Sequence, residues 1–537
     1  MSLTEARKRV DDARQAGATH LSLSLGAMSG DAGSAWELKY LEVIHLWHEH
    51  LLTLMPEVAG LTNLTSLDLS GNGLAELPPE LLMMTGLTSL NLRGNELREL
   101  PPEINRLYNL EKLDLSDNRL SRIPSQLIEL KGLAELGLSA NYIGNDLATL
   151  LGELAALPAL TVLTLGGNEL TELPDELAGL TNLETLDLGG NDLATLPPSM
   201  GSLGNLKTLG LAANRIASLP PEIALLTNLT TLDLGANALT SVPAGVGQLV
   251  NLTTLGLRDN DIATLPAEIA ALGNLTMLDL GANGLKKLPT EIVRLLKLVR
   301  LDLSDNRLRE FPPEIVNLTD LAELDLDSND LTALSPWIGN LTGLKTLHLG
   351  GNRLRKFPLE IINLEGLTEL DLSDNGLTVL PADIARLGEL ATLNLSGNDL
   401  RRLPEGIVNL RALETLYLND NGLTALPPEI VGLVGLTELH ASFNDLDTLP
   451  PEMANLKSLT RLHLDSNRFG VLPAVLTSLP SLAELYLDSN EIMELPPELV
   501  LNSNLTALCI DGNPLTEPPI AVAQRGIEAV LEYFSRA

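Results

Sequence analysis

The chain has one cysteine, Cys509, in 537 residues, so it cannot form an internal disulfide and lacks the disulfide-bonded caps typical of extracellular repeat proteins. Aromatic residues make up only 3% of the sequence, too few for a thick globular core. No stretch of apolar residues is long enough to span a bilayer. The opening MSLTEARKRVDDARQAG carries charges where a secretory signal needs an apolar run. A phosphate-cradling G-x-x-x-x-G-K-S/T loop is absent as well. Basic charge is in deficit: 35 Lys and Arg face 70 Asp and Glu, for a formal net charge of −35. A field of that sign repels nucleic acid and anionic membrane surfaces and draws basic partners. These absences lead to the expectation of a soluble, cytoplasmic protein with no nucleic acid, membrane or cofactor among its partners.

Leucine at fixed spacing is what the sequence has in plenty. Residues 61–83 read LTNLTSLDLSGNGLAELPPELLM and residues 84–106 read MTGLTSLNLRGNELRELPPEINR, a 23-residue period. Motif asparagines follow that period from Asn72 to Asn141 and from Asn168 to Asn513, with a single 27-residue step between Asn141 and Asn168. They mark twenty repeats, and a degenerate unit with Leu41, Ile44, Leu46, Leu51 and Leu54 in frame, and Glu49 in the asparagine's place, makes twenty-one. A unit of this size cannot bury its own apolar face and must stack on its neighbours. The alternation L-x-L predicts one short strand per repeat, stacked into a parallel sheet on the concave wall. Asparagine at the following bend supplies an amide for stranded backbone groups. Pro in L-P-P-E-I suits the first turn of a short connection on the convex side.

The expected fold is therefore an α/β leucine-rich repeat solenoid, a curved horseshoe capped at both ends. Residues 1–40 form the N-terminal cap, with a helix over 4–16 and a half-repeat strand at Leu21, Leu23 and Leu25. Residues 41–519 form the repeat array. Residues 520–537 form a C-terminal capping helix with Ile527, Val530, Leu531 and Phe534 on one face. With covers at both ends, the expectation is a whole protein or a cleanly cut domain. The 27-residue step reads as either a hinge or a tolerated insertion with a longer helix.

The L-P-x-x-I/L unit resembles the intracellular Ras-group type of leucine-rich repeat found also in bacterial Roco proteins. ARKRVDDARQAGATHLSLSL looks like the opening of Roco-type repeat domains, and residues 513–534 look like their closing unit. That resemblance implies a protein-interaction scaffold. The GTPase that follows the repeats in Roco proteins has no counterpart here, so a regulatory repeat subunit for a separate GTPase or enzyme is one alternative. A structural or self-assembling protein is another.

The frame also shows which positions are free to vary. One residue per repeat lies between two strand leucines, points outward and has no place in the core. From Asp68 to Asp325 it is small or acidic: Asp68, Asn91, Asp114, Gly137, Thr164, Asp187, Gly210, Asp233, Gly256, Asp279, Asp302, Asp325. Then it becomes His348, Asp371, Asn394, Tyr417, His440, His463, Tyr486 and Cys509. Aromatic side chains are enriched at protein interfaces, and Asp465, Asp488 and Asp511 form an acidic row beside them, with Glu438, Arg461 and Glu484 on the other flank. These residues predict a site for a protein or peptide, basic in character, on a monomer or weak homo-oligomer. The plainer account is that the rings stack as a stabilising ladder.

A second candidate is a basic edge comprising Lys286, Lys287, Arg307, Arg309, Arg353, Arg355, Lys356, Arg401 and Arg402, either a dock for an acidic surface or ordinary surface ion pairs. Trp337 is expected to lie over its neighbours. Phe443 is expected to turn inward and fill the space left by Ala441 in a leucine slot. His45, His48 and His50, near Trp36, Tyr40 and Trp47, lack the Cys or spaced carboxylate that would complete a zinc site, so no metal is expected. Cys509 lacks a positioned base, so no catalytic residue is expected either.

Overall fold

The computed structural model of the protein describes residues 12, 15–16, 18–23, 42–46, 61–501 and 504–536. Outside them fall Leu25, Trp36, Tyr40, Leu41, Trp47, His48, Glu49, His50, Leu51 and Leu54, and the expected N-terminal helix except for Asp12, Gln15 and Ala16. The chain divides into two compact units, Met1–Leu275 and Thr276–Ala537.

Each unit is built on short parallel strands, one per repeat. In the first they run from His20–Leu23 to Thr254–Gly256, and in the second from Met277–Asp279 to Ala507–Cys509. Within each unit consecutive strands pair without a slip of register: Leu21 lies opposite Ile44, and Leu416 and Tyr417 lie opposite Leu439 and His440. Because side chains alternate across a strand, in-register pairing stacks every core leucine on its counterpart and every outward residue on its counterpart.

The repeat around Tyr417 shows how one unit is held. Leu413, Leu416, Leu418, Leu423, Leu426, Ile430 and Leu433 are each 0–3% exposed. Burying each of them contributes about 1.5–3 kcal/mol. The motif asparagine ties the layer to the one before. Asn444 Nδ2 donates to the carbonyls of Leu418, Ala441 and Ser442 at 2.9, 3.2 and 3.1 Å. Its Oδ1 accepts the Leu423 N–H at 3.0 Å. One buried amide thus satisfies backbone groups of two repeats, which is why neither Gln nor Asp fits its place.

The residue before each motif asparagine is left-handed in all twenty repeats, with φ between 48° and 72°. Gly, Ala, Asp and Ser fill this position everywhere except at Phe443, whose φ is 56°. After the bend, Pro begins a one-turn 3₁₀ helix, as in Pro428–Gly432, where the Ile430 N–H donates to the Pro427 carbonyl at 3.0 Å. Proline's missing N–H is no loss at that place, and its fixed φ sets the turn.

Within the first unit the 27-residue step is absorbed as a 3₁₀ turn, Ile143–Asp146, and an α-helix, Leu147–Leu154, that buries Leu147, Leu150, Leu151 and Leu154. The strand ladder runs on unbroken past it, with Leu136 opposite Leu163. The C-terminal helix differs from expectation. It is two helices, Ile520–Ala523 and Ile527–Arg536, separated at Gly526, whose φ of 92° only glycine adopts easily. Ile527 and Val530 are buried, whereas Leu531 and Phe534 remain partly exposed.

Candidate functional site

The outward position proves to have a backbone duty. The residue two further on begins the bend, and its N–H needs an acceptor. Asp68, Asp114, Asp187 and Asp233 each accept it on Oδ1, from Ser70, Ser116, Gly189 and Gly235, at 2.9–3.0 Å. Asp279, Asp302, Asp325 and Asp371 do the same at 2.7–3.0 Å, and Asn91 and Asn394 at 3.0 and 3.1 Å. These are Asx turns within one repeat. Aspartate in this row is therefore structural, which corrects the expectation that the position is idle.

His and Tyr cannot cap in this way, and where they occur the rings form a stack. Tyr417 lies on His440 with centroids 4.5 Å apart and planes 24° apart. His440 lies on His463 at 4.2 Å and 11°, and His463 on Tyr486 at 4.1 Å and 5°. Tyr486 donates its hydroxyl to Glu484 at 2.9 Å. Arg461 binds Glu438 and Glu484, fixing the near flank. Among the described residues His440 Nε2 has only Glu438 Oε2, at 3.5 Å, the long limit of a hydrogen bond. Burial and then the neighbouring His463 hold the His440 imidazole below its ordinary value. Burial does the same at His463.

The acidic row follows from the stack. The Ser442 N–H, which His440 cannot cap, donates to Asn419 Oδ1 of the preceding repeat at 2.9 Å. The Asp465 N–H donates to Ser442 Oγ at 3.2 Å, the Asp488 N–H to Asp465 Oδ1 at 3.0 Å, and the Asp511 N–H to Asp488 Oδ1 at 2.6 Å. His348 repeats the pattern: the Gly350 N–H donates to Asp327 Oδ1 at 2.5 Å. Each cap has moved one repeat back and two residues along. Asp488 is thus engaged by one carboxylate oxygen and Asp465 by both, since its Oδ2 accepts from Ser442 Oγ at 3.0 Å.

His348 lies apart from the stack, among carboxylates. Its Nδ1 is 3.5 Å from Asp325 and its Nε2 is 3.3 Å from Glu369. The bond to Asp325 and the charges around it push its pKa up to about 9, against the cost of burial. Asp327, crowded by burial and then by Asp325 and Asp371, is pushed up to about 6. Asp325, Asp327 and His348 each place a ligand atom within 4.8 Å of the others. This grouping was not legible in the sequence, and protonated His348 serves as its internal cation. Asn394 Nδ2 donates to Asp371 at 2.7 Å, so these two residues belong to the same polar stretch.

Phe443 does not turn inward. Its left-handed backbone directs the side chain away from the core, and it is 60% exposed while Ala441 stays fully buried. Trp337 is 64% exposed. Along the basic edge only Arg353 has an ion pair among the described residues, with Asp330 at 2.6 Å. The other eight cations of that edge have none, unlike Arg119, Arg215 and Arg468, which pair across repeats. His45 faces outward with Nδ1 3.4 Å from Asp68. At Cys509, burial and then Asp488, Asp465, Asp511 and Glu484 push the thiol up, the opposite of an activated nucleophile.

What these features define is a repeat scaffold, in which fixed buried positions hold a ladder and the outward position of each strand differs where another residue takes over its cap. The chain belongs to the leucine-rich repeat family. The model for a leucine-rich repeat region matches residues 244–335, 335–417 and 389–467, and further leucine-rich repeat models match 85–143 and 204–262 and 62–103 and 158–198. A leucine-rich repeat protein of Leptospira interrogans is 35% identical over 76% of this chain and 91% of its own, with a TM-score of 0.59. The Arabidopsis receptor kinase HAESA, solved with a peptide hormone and a co-receptor, is 30% identical over 93% of this chain and 87% of its own, with a TM-score of 0.60. A plant peptide hormone receptor in complex with RGF2 is 30% identical over 92% and 88%, with a TM-score of 0.55. No curated protein matches the chain. Among the described residues no helix is long and apolar enough to cross a membrane.

Proposed function

We propose that the chain is a non-catalytic protein-interaction scaffold whose outward row from His348 to Tyr486 engages a basic protein or peptide. The observation that carries this reading is the ring stack Tyr417–His440–His463–Tyr486, which occupies the outward face at the expense of four Asx caps. A ladder needed only for stability would not require the bend to be rewired, because Asp at the same position already holds it. Flat aromatic surface flanked by Glu438, Glu484, Asp465 and Asp488 fits an extended segment bearing Lys or Arg. Leucine-rich repeat receptors solved with peptide hormones use the same architecture to hold peptides. The Roco-like motif suggests the alternative of a repeat arm for a separate GTPase, with the same face as its contact surface.

The test is selection of random displayed peptides on the wild type, followed by binding to a variant with Tyr417, His440, His463 and Tyr486 all changed to Ala. Selected peptides should be rich in Lys and Arg and should lose the variant. Equal binding to both proteins, with the variant folded by circular dichroism, would remove the site.

A further inference from the structure

A cleft lies away from the ring stack, where the chain descends from the bend into the 3₁₀ turn in the repeats around Trp337 and Phe357. Its volume is about 650 Å³. Leu334, Phe357 and Pro358 form its apolar floor, and Leu359, 54% exposed, its lip. Arg353, Arg355 and Lys356 stand along it, with Glu360 as the lone acidic lining residue. Arg353 is held by Asp330, whereas Arg355 and Lys356 are exposed and have no ion pair among the described residues. Six other cations of the edge share that lack of a carboxylate partner; at Arg355 and Lys356 it coincides with an apolar cleft.

Trp337 adds an independent observation. It is not itself a lining residue, but it stands 23 residues before the lining Glu360 and so holds the same register position one repeat earlier. Its repeat departs from most others in two ways. Ser335 replaces the first proline, and the 3₁₀ turn shrinks to Ile338–Asn340, where most repeats have five residues. An indole left 64% in solvent is costly, and at interfaces Trp beside Arg is a common source of binding energy.

We infer that this cleft docks an acidic peptide segment carrying an apolar side chain, with Arg355 and Lys356 meeting its carboxylates and Trp337 and Leu359 covering its apolar group. Charge decides the occupant. The ring-stack face is bordered by carboxylates and this cleft by unpaired cations, so the two sites select opposite partners. The apolar floor favours a side chain over a bare anion. A second copy of the chain would bring two bodies of charge −35 together, a repulsion that a single cleft does not offset.

The test is fluorescence anisotropy of a labelled peptide with a Leu-Phe pair between runs of Glu, against a control with Gln for every Glu, using the full chain. The acidic peptide should bind and the control should not, with affinity falling as salt rises. Arg355→Glu combined with Lys356→Glu should weaken binding roughly tenfold to thirtyfold, and Trp337→Ala should weaken it at unchanged salt dependence. The ring-stack quadruple variant should bind the acidic peptide like the wild type. Equal binding of both peptides, or no effect of the charge reversal, overturns the inference. So does salt-sensitive dimerisation by sedimentation that the same reversal abolishes, since the occupant would then be a second copy.

Discussion

In the unit Met1–Leu275, Asp68, Asp114, Asp187 and Asp233 each hold a backbone N–H two residues on, inside their own repeat. In Thr276–Ala537 Asp279, Asp302, Asp325, Asp371 and Asn394 still do so, but from Tyr417 the row turns aromatic, and the N–H groups of Ser442, Asp465 and Asp488, with that of Asp511 after Cys509, are held from the repeat before. The backbone is the same in both, and the same donor is satisfied. What differs is which residue bears the cost. Moving the cap out of the outward position makes that position available for a ring, and the row Asn419, Ser442, Asp465, Asp488 records where the duty went. The acidic row is therefore first a structural consequence of the rings and only second a charged border to them.

Removing the rings should have the largest effect on this comparison. With Tyr417, His440, His463 and Tyr486 all changed to Ala, three stacked pairs are lost, and the urea unfolding free energy should fall by about 2–4 kcal/mol. Quadruple substitution at Asp68, Asp114, Asp187 and Asp233 in the other unit removes caps rather than stacks, so its deficit should not depend on aromatic content. Single cap deletions come next. Asp465→Ala removes acceptors for the Asp488 N–H and for Ser442 Oγ and should cost about 1–3 kcal/mol; Asp233→Ala removes one acceptor, for the exposed Gly235 N–H, and should cost about 1 kcal/mol or less.

Titration sharpens the comparison within the row. His348 has its pKa raised to about 9, so its contribution to stability is complete below the unfolded value of 6.5 and is lost as pH rises through about 9. His440 and His463 have theirs lowered, so their contribution is present above 6.5 and is lost as pH falls through their folded values. Imidazole proton shifts in NMR should therefore show His348 still charged at neutral pH, while His440 and His463 are neutral. A single shared midpoint for all three would refute this division. The smallest effect belongs to Phe443→Gly. Relieving a bulky residue of a left-handed backbone should raise stability by about 1 kcal/mol, measured as a shift in the urea midpoint.

The 23-residue period made the fold legible, because Leu, Asn and Pro recur wherever burial, bend and turn demand them. The ring row was legible too, as a change of character at one register position after Asp325. The cap relocation was not, since an N–H at Asp488 and a carboxylate at Asp465 are 23 residues apart and nothing local couples them. Phe443 was misjudged for a related reason. The set Gly, Ala, Asp and Ser at its position signals a left-handed backbone, and that geometry sends the side chain outward whatever space Ala441 leaves. Trp337 and the unpaired edge cations were visible as residues, but their exposure and lack of partners depend on neighbouring layers.

The central claim is that the rings displaced a cap which the preceding repeat now supplies. A double-mutant cycle on Asp465→Ala and Tyr486→Asn measures it directly, because an asparagine at the outward position caps its own repeat, as Asn91 and Asn394 do. The Tyr486→Asn substitution would give the Asp488 N–H a local acceptor and make Asp465 dispensable there. The predicted result is that Asp465→Ala costs about 1 kcal/mol less in the Tyr486→Asn background than in the wild type. Strict additivity of the two substitutions in urea unfolding would contradict it.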